Sequence, residues 1–394
     1  MTATVRVRRF VRFLRAPMLA FALAACGAPN AIWNAHSEFG HQVDDLTRFL
    51  IYLGAGVFVF VEGLLLVALV RFRAKEGVEP VQTHGNTTLE VTWTAIPAII
   101  LACIAVPTVK TIFKTQAKAD PNALQVEVIG HQWWWEFRYP QYGVTTASEL
   151  YLPVGRTVNF ALKSADVLHS FWIPQLGGKR DLISNHTNYI WFTPDSASAW
   201  NGFCAEFCGA SHSNMRFRVF TVTPAQFEAY LAHEKSGPAF GAPSAAPSPS
   251  DTAKAATAAT TAQSGPTGTV SRENLPRWVV PATPTPANLT VANVPGDATR
   301  GATLFKTAPC IACHTIQGVS AGVIGPNLTH VGSRTTIAGS LYPNDMQHLM
   351  LWIKNAPAMK AGVIMPAMGK TSPQSAGYDD QQIADLAAYL SALK

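Results

Sequence analysis

Charged residues are scarce in this sequence. They make up 14% of its 394 residues, against about 25% in typical soluble domains. Five of the 30 Lys and Arg, and none of the 24 Asp and Glu, lie before residue 26, which leaves 25 basic against 24 acidic residues in the remainder. Such a balance excludes nucleic-acid binding through a broad basic surface.

Two segments lack charge almost entirely. Residues 49–70 are apolar apart from Glu62, and residues 91–109 form a second apolar run that contains two prolines. Both are long enough to cross a bilayer, so the sequence predicts a two-helix membrane hairpin within residues 26–118. A charged carboxylate in mid-membrane is costly, so Glu62 is expected to be protonated or buried against a membrane partner.

The N-terminus is typical of an export signal. A basic region precedes the apolar stretch 16–25, and the Leu-Ala-Ala-Cys that ends at Cys26 resembles a bacterial lipoprotein box. This predicts a signal peptide over residues 1–25 and a lipidated Cys26, with an ordinary signal or an uncleaved anchor as the alternative. The basic residues are Arg6, Arg8, Arg9, Arg12 and Arg15.

Cysteine is also rare, and two of the six cysteines lie in one short loop. The loop reads C-A-E-F-C-G-A-S-H-S-N-M from Cys204 to Met215. Soft sulfur with imidazole nitrogen favours copper, and the second thiolate, Cys208, allows two copper ions to be bridged. His212 lies in the loop, and His169 is available from a neighbouring strand. A disulfide and a zinc site are the alternatives, but neither explains all of these groups.

A second motif, Cys310-Ile311-Ala312-Cys313-His314, has the C-x-x-C-H pattern of covalent haem c attachment. Cys310 and Cys313 would form thioether bonds to the porphyrin, and His314 would bind the iron. Met365 is the predicted sixth ligand, because the proline after it would hold its segment extended. A redox or zinc pair is the alternative for the motif. The competing methionines are Met359 and Met368.

These motifs leave no cysteine for a structural disulfide, because Cys26 is assigned to lipid and Cys103 lies in an apolar run. Haem attachment and the export signal both require the C-terminal bulk to lie outside the cytoplasm. The loop between the two spans then lies inside. Its basic residues Arg71, Arg73 and Lys75 favour that orientation, although three lysines after the second span oppose it.

The rest of the chain divides by composition. Residues 119–235 show short alternating strands between Gly and Pro turns, which predicts a Greek-key sandwich closed by a short helix. Residues 236–290, rich in Ala, Ser, Thr and Pro, predict a flexible linker. Residues 291–394 predict an all-α domain, with one helix before the haem motif and an amphipathic helix at the end.

From Cys26 onward the chain resembles subunit II of haem-copper cytochrome c oxidases, in the bacterial form that has a cytochrome c fused at its C-terminus. The resemblance implies a transmembrane hairpin, an all-β cupredoxin-like domain and an all-α class I cytochrome c domain. Five motifs carry it: the copper loop, D-V-L-H-S around His169, G-H-Q-W-W-W from Gly130 to Trp135, T-L-E-V-T-W around Glu90, and C-I-A-C-H.

The resemblance also implies roles for single residues. Glu206 would bind copper through its backbone carbonyl and, through its side chain, a magnesium ion at the boundary with subunit I. Trp133 matches the aromatic residue through which electrons enter the copper centre, with simple packing as the alternative. Glu90 matches the carboxylate at the mouth of a proton pathway, with a favourable charge at a helix N-terminus as the alternative. The implied dinuclear copper ligands are His169, Cys204, Glu206, Cys208, His212 and Met215.

One stretch departs from the family pattern. After Asp181-Leu182-Ile183 the family usually has Pro-Gly, whereas this chain has Ser184-Asn185-His186. The turn near the subunit I contact is therefore expected to differ, and His186 is expected to be a histidine of a surface loop.

The implied function is that of the electron-accepting subunit of a respiratory oxidase. It would receive electrons from cytochrome c through haem c and dinuclear copper and pass them to subunit I, where oxygen is reduced to water with proton translocation. Subunits I and III and cytochrome c are the expected partners, and the bacterial inner membrane, with both cofactor domains on the periplasmic face, is the expected location. The alternatives are a copper-delivery or assembly protein, a quinol oxidase subunit and a plain electron carrier.

Overall fold

The structure, a computed structural model, describes residues 31–73, 77, 84–116, 119–238, 267–279, 282–371 and 375–394. The predicted signal peptide and Cys26 lie outside these residues.

Two long helices open the described chain, α1 (Glu38–Arg71) and α2 (Thr87–Thr115). The Ser37 side chain caps α1 and the Asn86 side chain caps α2, each accepting a hydrogen bond from a backbone N–H of the first turn. Both are long and apolar enough to cross a membrane, and their apolar windows are not buried within the chain. Lys114 Nζ at the end of α2 lies 3.3 Å from Glu38 Oε1 at the start of α1, so the helices run antiparallel.

The copper-loop motif belongs to a sandwich of two five-stranded sheets. One sheet has the order β3-β2-β1-β5-β8 and the other β4-β10-β9-β6-β7. β1 pairs in parallel with β5, and β4 with β10. The strands are β1 (Leu124–His131), β2 (Trp134–Tyr139), β3 (Val144–Ala147), β4 (Glu149–Pro153), β5 (Val158–Ser164), β6 (His169–Trp172), β7 (Arg180–Leu182), β8 (Asn188–Phe192), β9 (Ser198–Cys204) and β10 (Arg216–Val222).

Aromatic rings fill the space between the two sheets. Trp135 on β2 lies with its ring centroid 5.9 Å from Phe171 and 5.1 Å from Phe217. All three side chains are almost completely buried. Burial of large apolar surface is the main favourable term in folding, so this cluster fixes the two sheets against each other below the copper loop.

A helix and a later segment close the sandwich at one side. Helix α3 (Pro224–Lys235) begins with a capping box between Thr223 and Gln226. Residues 267–279 return to the same domain, where Val270 and Val279 are buried in its core. The structure thus differs from the linker prediction over these residues, because they pack instead of lying free. Residues 239–266 lie outside the described part.

The C-terminal domain is helical. Helices α4 (Ala298–Thr307) and α7 (Asp380–Ala392) cross at Gly301, where an added Cβ would lie 1.9 Å from the carbonyl oxygen of Asp385. The Arg300 guanidinium binds the Asp385 carboxylate through two hydrogen bonds of 2.8 Å at this crossing. The haem motif forms the short helix α5 (Cys310–Cys313), and α6 (Met346–Met359) completes the core.

Candidate functional site: a sulfur-rich loop beside a crevice at the haem motif

The copper loop joins two neighbouring strands. β9 ends at Cys204 and β10 begins after Met215, and the N–H of Cys204 donates to the carbonyl of Met215 at 3.1 Å. The loop is therefore closed at its base by the antiparallel ladder, which holds its two ends in fixed register.

The predicted sulfur and nitrogen ligands converge. Cys204 Sγ lies 3.7 Å from Cys208 Sγ and 3.8 Å from His169 Nδ1. On the other side, Cys208 Sγ lies 3.6 Å from His212 Nδ1 and 3.8 Å from Met215 Sδ. Each thiol thus has one imidazole beside it, and both thiols are central. Within the described part of the chain, His169, Cys204 and Cys208 form a buried group that could hold a metal ion.

The Glu206 backbone also faces this group. Its carbonyl oxygen lies 3.3 Å from Cys204 Sγ, and its side chain points away, 3.9 Å from Lys179 Nζ. The backbone carbonyl and the carboxylate of Glu206 are thus available to two different partners.

His169 is oriented by a residue that the sequence reasoning missed. Its Nε2 lies 2.7 Å from Asp166 Oδ1, which leaves Nδ1 to face Cys204. Burial alone would lower the pKa of His169, but the hydrogen bond to Asp166 and the contact with Cys204 outweigh it and raise the pKa. Gly130 leaves room for the ring, because a Cβ there would lie 2.8 Å from His169 Cδ2. Asp166 could have been found in D-V-L-H, since a carboxylate commonly orients a metal-binding histidine.

The hydrogen bond between the two thiols shifts their pKa values in opposite directions. The hydrogen bond from Cys208 lowers the pKa of Cys204 to about 3, whereas the same contact raises the pKa of Cys208. Both cysteines are free, so the predicted alternative of a disulfide is not formed. Zinc has little use for the Met215 thioether, which lies in the same cluster as the thiols. The donor set fits copper.

A crevice of ≈ 230 Å³ opens beside the haem motif. Its walls come from both the copper domain and the helical domain. His314 Nδ1 lies 2.8 Å from the Pro326 carbonyl, so it donates there and leaves Nε2 free to bind iron. Gly325 makes room for this imidazole, since a Cβ would lie 2.6 Å from its Cε1. These features fit a covalently bound haem. The wall includes Trp133, Trp134, Cys310, Cys313, His314, Met365 and Met368.

The three candidate methionines are placed differently. Met365 lines the crevice and is half-buried. Met368 also lines it but is 3% exposed, and Met359 is 6% exposed within the helical core. Met365 and Met368 are therefore the two that border the space where a haem would lie.

Trp133 lies between the copper loop and the helical domain. Its indole Nε1 donates to the Cys208 carbonyl at 2.9 Å, and Gln132 donates to the same oxygen at 2.8 Å. On the opposite side, a Cβ at Gly362 would lie 2.7 Å from Trp133 Cη2. The indole is thus bound to the backbone of a predicted copper ligand and covered by the helical domain.

Two further predicted residues are exposed. Glu90 lies in the first turn of α2. His186 lies in a turn, and its own backbone N–H donates to the Ile183 carbonyl at 3.2 Å. Asn185 in the same turn has a φ of 61°. Asn tolerates this left-handed conformation, so the Ser-Asn-His sequence can turn where the family has Pro-Gly.

Three regions of the chain match known families. Residues 30–111 match the cytochrome c oxidase subunit II transmembrane domain, residues 143–222 its periplasmic domain, and residues 298–394 cytochrome c. Cytochrome c oxidase subunit 2 of Alkalihalophilus pseudofirmus is 32% identical over 395 residues, which cover 97% of each chain. The chain belongs to the cytochrome c oxidase subunit II family.

Further relatives match different shares of the chain. Cytochrome c oxidase subunit 2 of Bacillus sp. (strain PS3) is 30% identical over 96% of this chain and 95% of its own. Quinol oxidase subunit 2 of Bacillus spizizenii is 34% identical, but over 54% of this chain and 68% of its own. The family assignment and the three-part fold predicted from the sequence are thus confirmed.

Several general properties follow from membership in the cytochrome c oxidase subunit II family. This oxidase subunit II is a membrane protein with a periplasmic copper domain and a C-terminal domain for haem c. It is a component of a haem-copper oxidase complex that includes subunit I.

Proposed function

We propose that this oxidase subunit receives electrons from a cytochrome c through its own cytochrome c domain and delivers them through a dinuclear copper centre to subunit I. Oxygen is reduced to water there, with proton translocation. The observation that carries the proposal is the pair of thiols 3.7 Å apart, flanked by two imidazoles and a thioether, on a loop that is hydrogen-bonded to Trp133.

The copper ligands each have one task in this proposal. Cys204 and Cys208 would hold the dinuclear copper as thiolates, so both must lose their protons when the metal binds. His169, His212, Met215 and the Glu206 carbonyl would supply the remaining ligands. When bound, the copper would supply a one-electron carrier. Asp166 fixes the orientation of His169 through its 2.7 Å hydrogen bond.

The C-terminal domain holds haem c in the proposal. Cys310 and Cys313 would attach the porphyrin, and His314 and Met365 would bind the iron. Met365 is preferred to Met368 because its side chain is less buried, whereas the Met368 backbone is hydrogen-bonded to Ile353 and Tyr378. When bound, the haem supplies a one-electron carrier.

Two residues serve the boundary with other subunits, and a third serves the entry of electrons. The Glu206 carboxylate binds magnesium at the subunit I interface, and Glu90 lies at the entrance of a proton pathway. Trp133 is the contact through which electrons enter the copper domain. The two apolar helices span the bacterial inner membrane, with subunits I and III as neighbours and with a lipidated Cys26 at the mature N-terminus.

Copper spectroscopy of the purified oxidase tests this proposal. We expect a seven-line copper hyperfine pattern in the electron paramagnetic resonance spectrum, with near-infrared absorption. Cys208→Ser should abolish both and stop oxidase turnover, because one bridging thiolate is lost. Cys103→Ser is the control, since Cys103 is an exposed cysteine on α2. A four-line signal in the wild type, or an unchanged spectrum in Cys208→Ser, would rule out the dinuclear site.

A further inference from the structure

Two charged side chains are buried where the copper domain meets the cytochrome c domain. Glu149, on β4 of the copper domain, is 3% exposed, and Lys360, which follows α6 of the cytochrome domain, is 2% exposed. Neither residue is a predicted ligand, and neither belongs to a sequence motif. We call Glu149 and Lys360, with their partners across the boundary, the interdomain latch.

On the Glu149 side of the latch, one carboxylate oxygen accepts four hydrogen bonds. Its Oε1 accepts from the backbone N–H of Thr335 at 2.8 Å and of Thr336 at 3.1 Å. It also accepts from the hydroxyl of Thr335 at 2.5 Å and of Thr336 at 3.2 Å. All four donors come from the cytochrome domain, so a single carboxylate oxygen recognises one short stretch of that domain.

The Lys360 side reaches the electron-accepting surface of the copper domain. Lys360 Nζ donates to the backbone carbonyl of Trp133 at 2.6 Å and to that of Ala338 at 3.0 Å. Beside it, the Ser211 hydroxyl in the copper loop donates to the Ala361 carbonyl at 2.5 Å. Burial lowers the pKa of Lys360 to about 7, which reflects how far this group is removed from water.

Such an arrangement discriminates between docked poses. A buried carboxylate or ammonium group is unfavourable unless its hydrogen bonds are made, and here all four bonds to Glu149 and the bond from Lys360 to Trp133 are made across the boundary. A displaced cytochrome domain would deprive Glu149 of these four donors and Lys360 of its bond to Trp133. Electrostatic and hydrogen-bond complementarity of this kind fixes orientation more than it adds affinity.

The docked pose also covers Trp133. The indole is 8% exposed, and Gly362, two residues beyond Lys360, lies directly against its six-membered ring. Another cytochrome c therefore has no access to this side chain while the latch is closed.

We propose that Glu149 and Lys360 are positioning residues that hold the cytochrome c domain in one pose over Trp133, so that the copper domain receives electrons from the haem of its own chain and not directly from an external donor. This inference rests on the proposed electron route, and it adds the residues that fix the donor's position.

The test is the rate of electron transfer from haem to copper in the intact oxidase after flash photoreduction of the haem. In the wild type we expect one fast phase that does not depend on solvent viscosity, because the domains are already docked. Glu149→Ala and Lys360→Met should slow this phase by about tenfold or more and make it viscosity-dependent, since a buried partner is left unpaired. Glu149→Gln, which keeps the acceptor oxygen, should retain most of the rate.

Matched controls are Glu228→Ala on α3 and Lys306→Met on α4, which change the same residue types at exposed positions. Unchanged rates in both Glu149→Ala and Lys360→Met would overturn the latch. Absence of copper reduction in the wild type would instead refute the electron route itself, so the two failures are distinguishable.

Haem and copper spectra of each variant show whether the cofactor sites are intact. If Glu149→Ala loses either cofactor, the double change Thr335→Val and Thr336→Val tests the same contact from the cytochrome side. It removes two hydroxyl donors and leaves the two backbone donors in place. Because Thr336 also lines the crevice, the haem spectrum of this variant must match that of the wild type. A slowed, viscosity-dependent phase supports the latch, and a wild-type phase contradicts it.

Discussion

Asp166 shows how one residue outside the ligand set can determine the copper site. Its carboxylate accepts from the His169 ring at 2.7 Å and, through its other oxygen, from the Gln132 N–H at 2.7 Å. It therefore orients a ligand and ties it to the strand end that carries Trp133.

We expect Asp166→Ala to lower copper affinity by about 10–100-fold, as is typical when the partner of a metal-binding histidine is removed. Competition with a copper chelator measures the change. Asp120→Asn, at the start of the copper domain, is the control. Equal copper retention in Asp166→Ala and the wild type would show that the hydrogen bond does not orient His169.

Gly362 combines a conformational and a steric requirement. Its φ is +80°, and a Cβ would lie 2.7 Å from the Trp133 ring. Gly377 has a φ of +78° but nothing within 4 Å of an added Cβ. The two glycines thus share the backbone conformation and differ in what lies beside them.

We therefore expect Gly362→Ala to slow electron transfer from haem to copper, because the methyl group pushes the cytochrome domain off the indole. Gly377→Ala carries the same backbone strain and should leave the transfer rate unchanged while it lowers the thermal midpoint. Flash photoreduction measures the first quantity and thermal unfolding the second. Equal slowing in both variants would mean that strain, and not contact with Trp133, is responsible.

The parts of the site that lie close together in the chain could be predicted from the sequence, and the parts that lie far apart could not. The sulfur ligands and His212 lie within one loop, so their spacing is readable. Lys360 and Trp133 are separated by 227 positions, and no local sequence pattern at either residue predicts their contact. Glu149 is a lone carboxylate on a strand, for which solvent exposure is the ordinary expectation.

At the scale of elements, hydropathy predicted the two long helices and alternation predicted the sandwich, because each pattern repeats over many residues. The packing of residues 267–279 was missed. Val270 and Val279 are buried in the core there, and Leu275 packs against it. A few apolar residues spaced irregularly in a polar stretch have no periodicity to detect.

The crossing of α4 and α7 gives a pH prediction. Burial alone would raise the pKa of Asp385, but its hydrogen bonds from Arg300, the Asp297 backbone and Gln381 outweigh this and lower the pKa from 3.8. A carboxyl whose folded pKa is depressed stabilises the fold above its unfolded pKa, and this contribution is lost as the pH falls through the folded pKa.

We expect the cytochrome domain of the wild type to lose thermal stability in this acid range. Asp385→Asn should be less stable at neutral pH by about 1–3 kcal/mol, because Arg300 loses its charged partner, and should have a flatter acid limb. Thermal unfolding followed at the haem absorption band measures both. A parallel pH profile in variant and wild type would exclude Asp385 as the titrating group.

At the scale of the whole molecule, the tether between the domains is shorter than the composition suggests. The low-complexity stretch precedes residues 267–279, which are anchored on the copper domain by Val270, Val279 and the hydrogen bond from Asn201 to the Trp278 carbonyl at 2.9 Å. The chain next packs against the core of the cytochrome domain at Leu289. Residues 280–288 are therefore the part that connects the two packed regions.

Two engineered insertions distinguish the effect of this tether on electron transfer from the effect of the low-complexity stretch. A ~20-residue Gly/Ser insertion after Pro247 lengthens a loop whose two ends lie on the copper domain, whereas the same insertion after Ala282 lengthens the path to the cytochrome domain. With the latch intact, neither should change the rate of electron transfer from haem to copper. In the Glu149→Ala background, the insertion after Ala282 should slow it several-fold by lowering the effective concentration, and the insertion after Pro247 should not. Equal slowing by both insertions in that background would show that residues 267–279 leave the copper domain once the latch is opened.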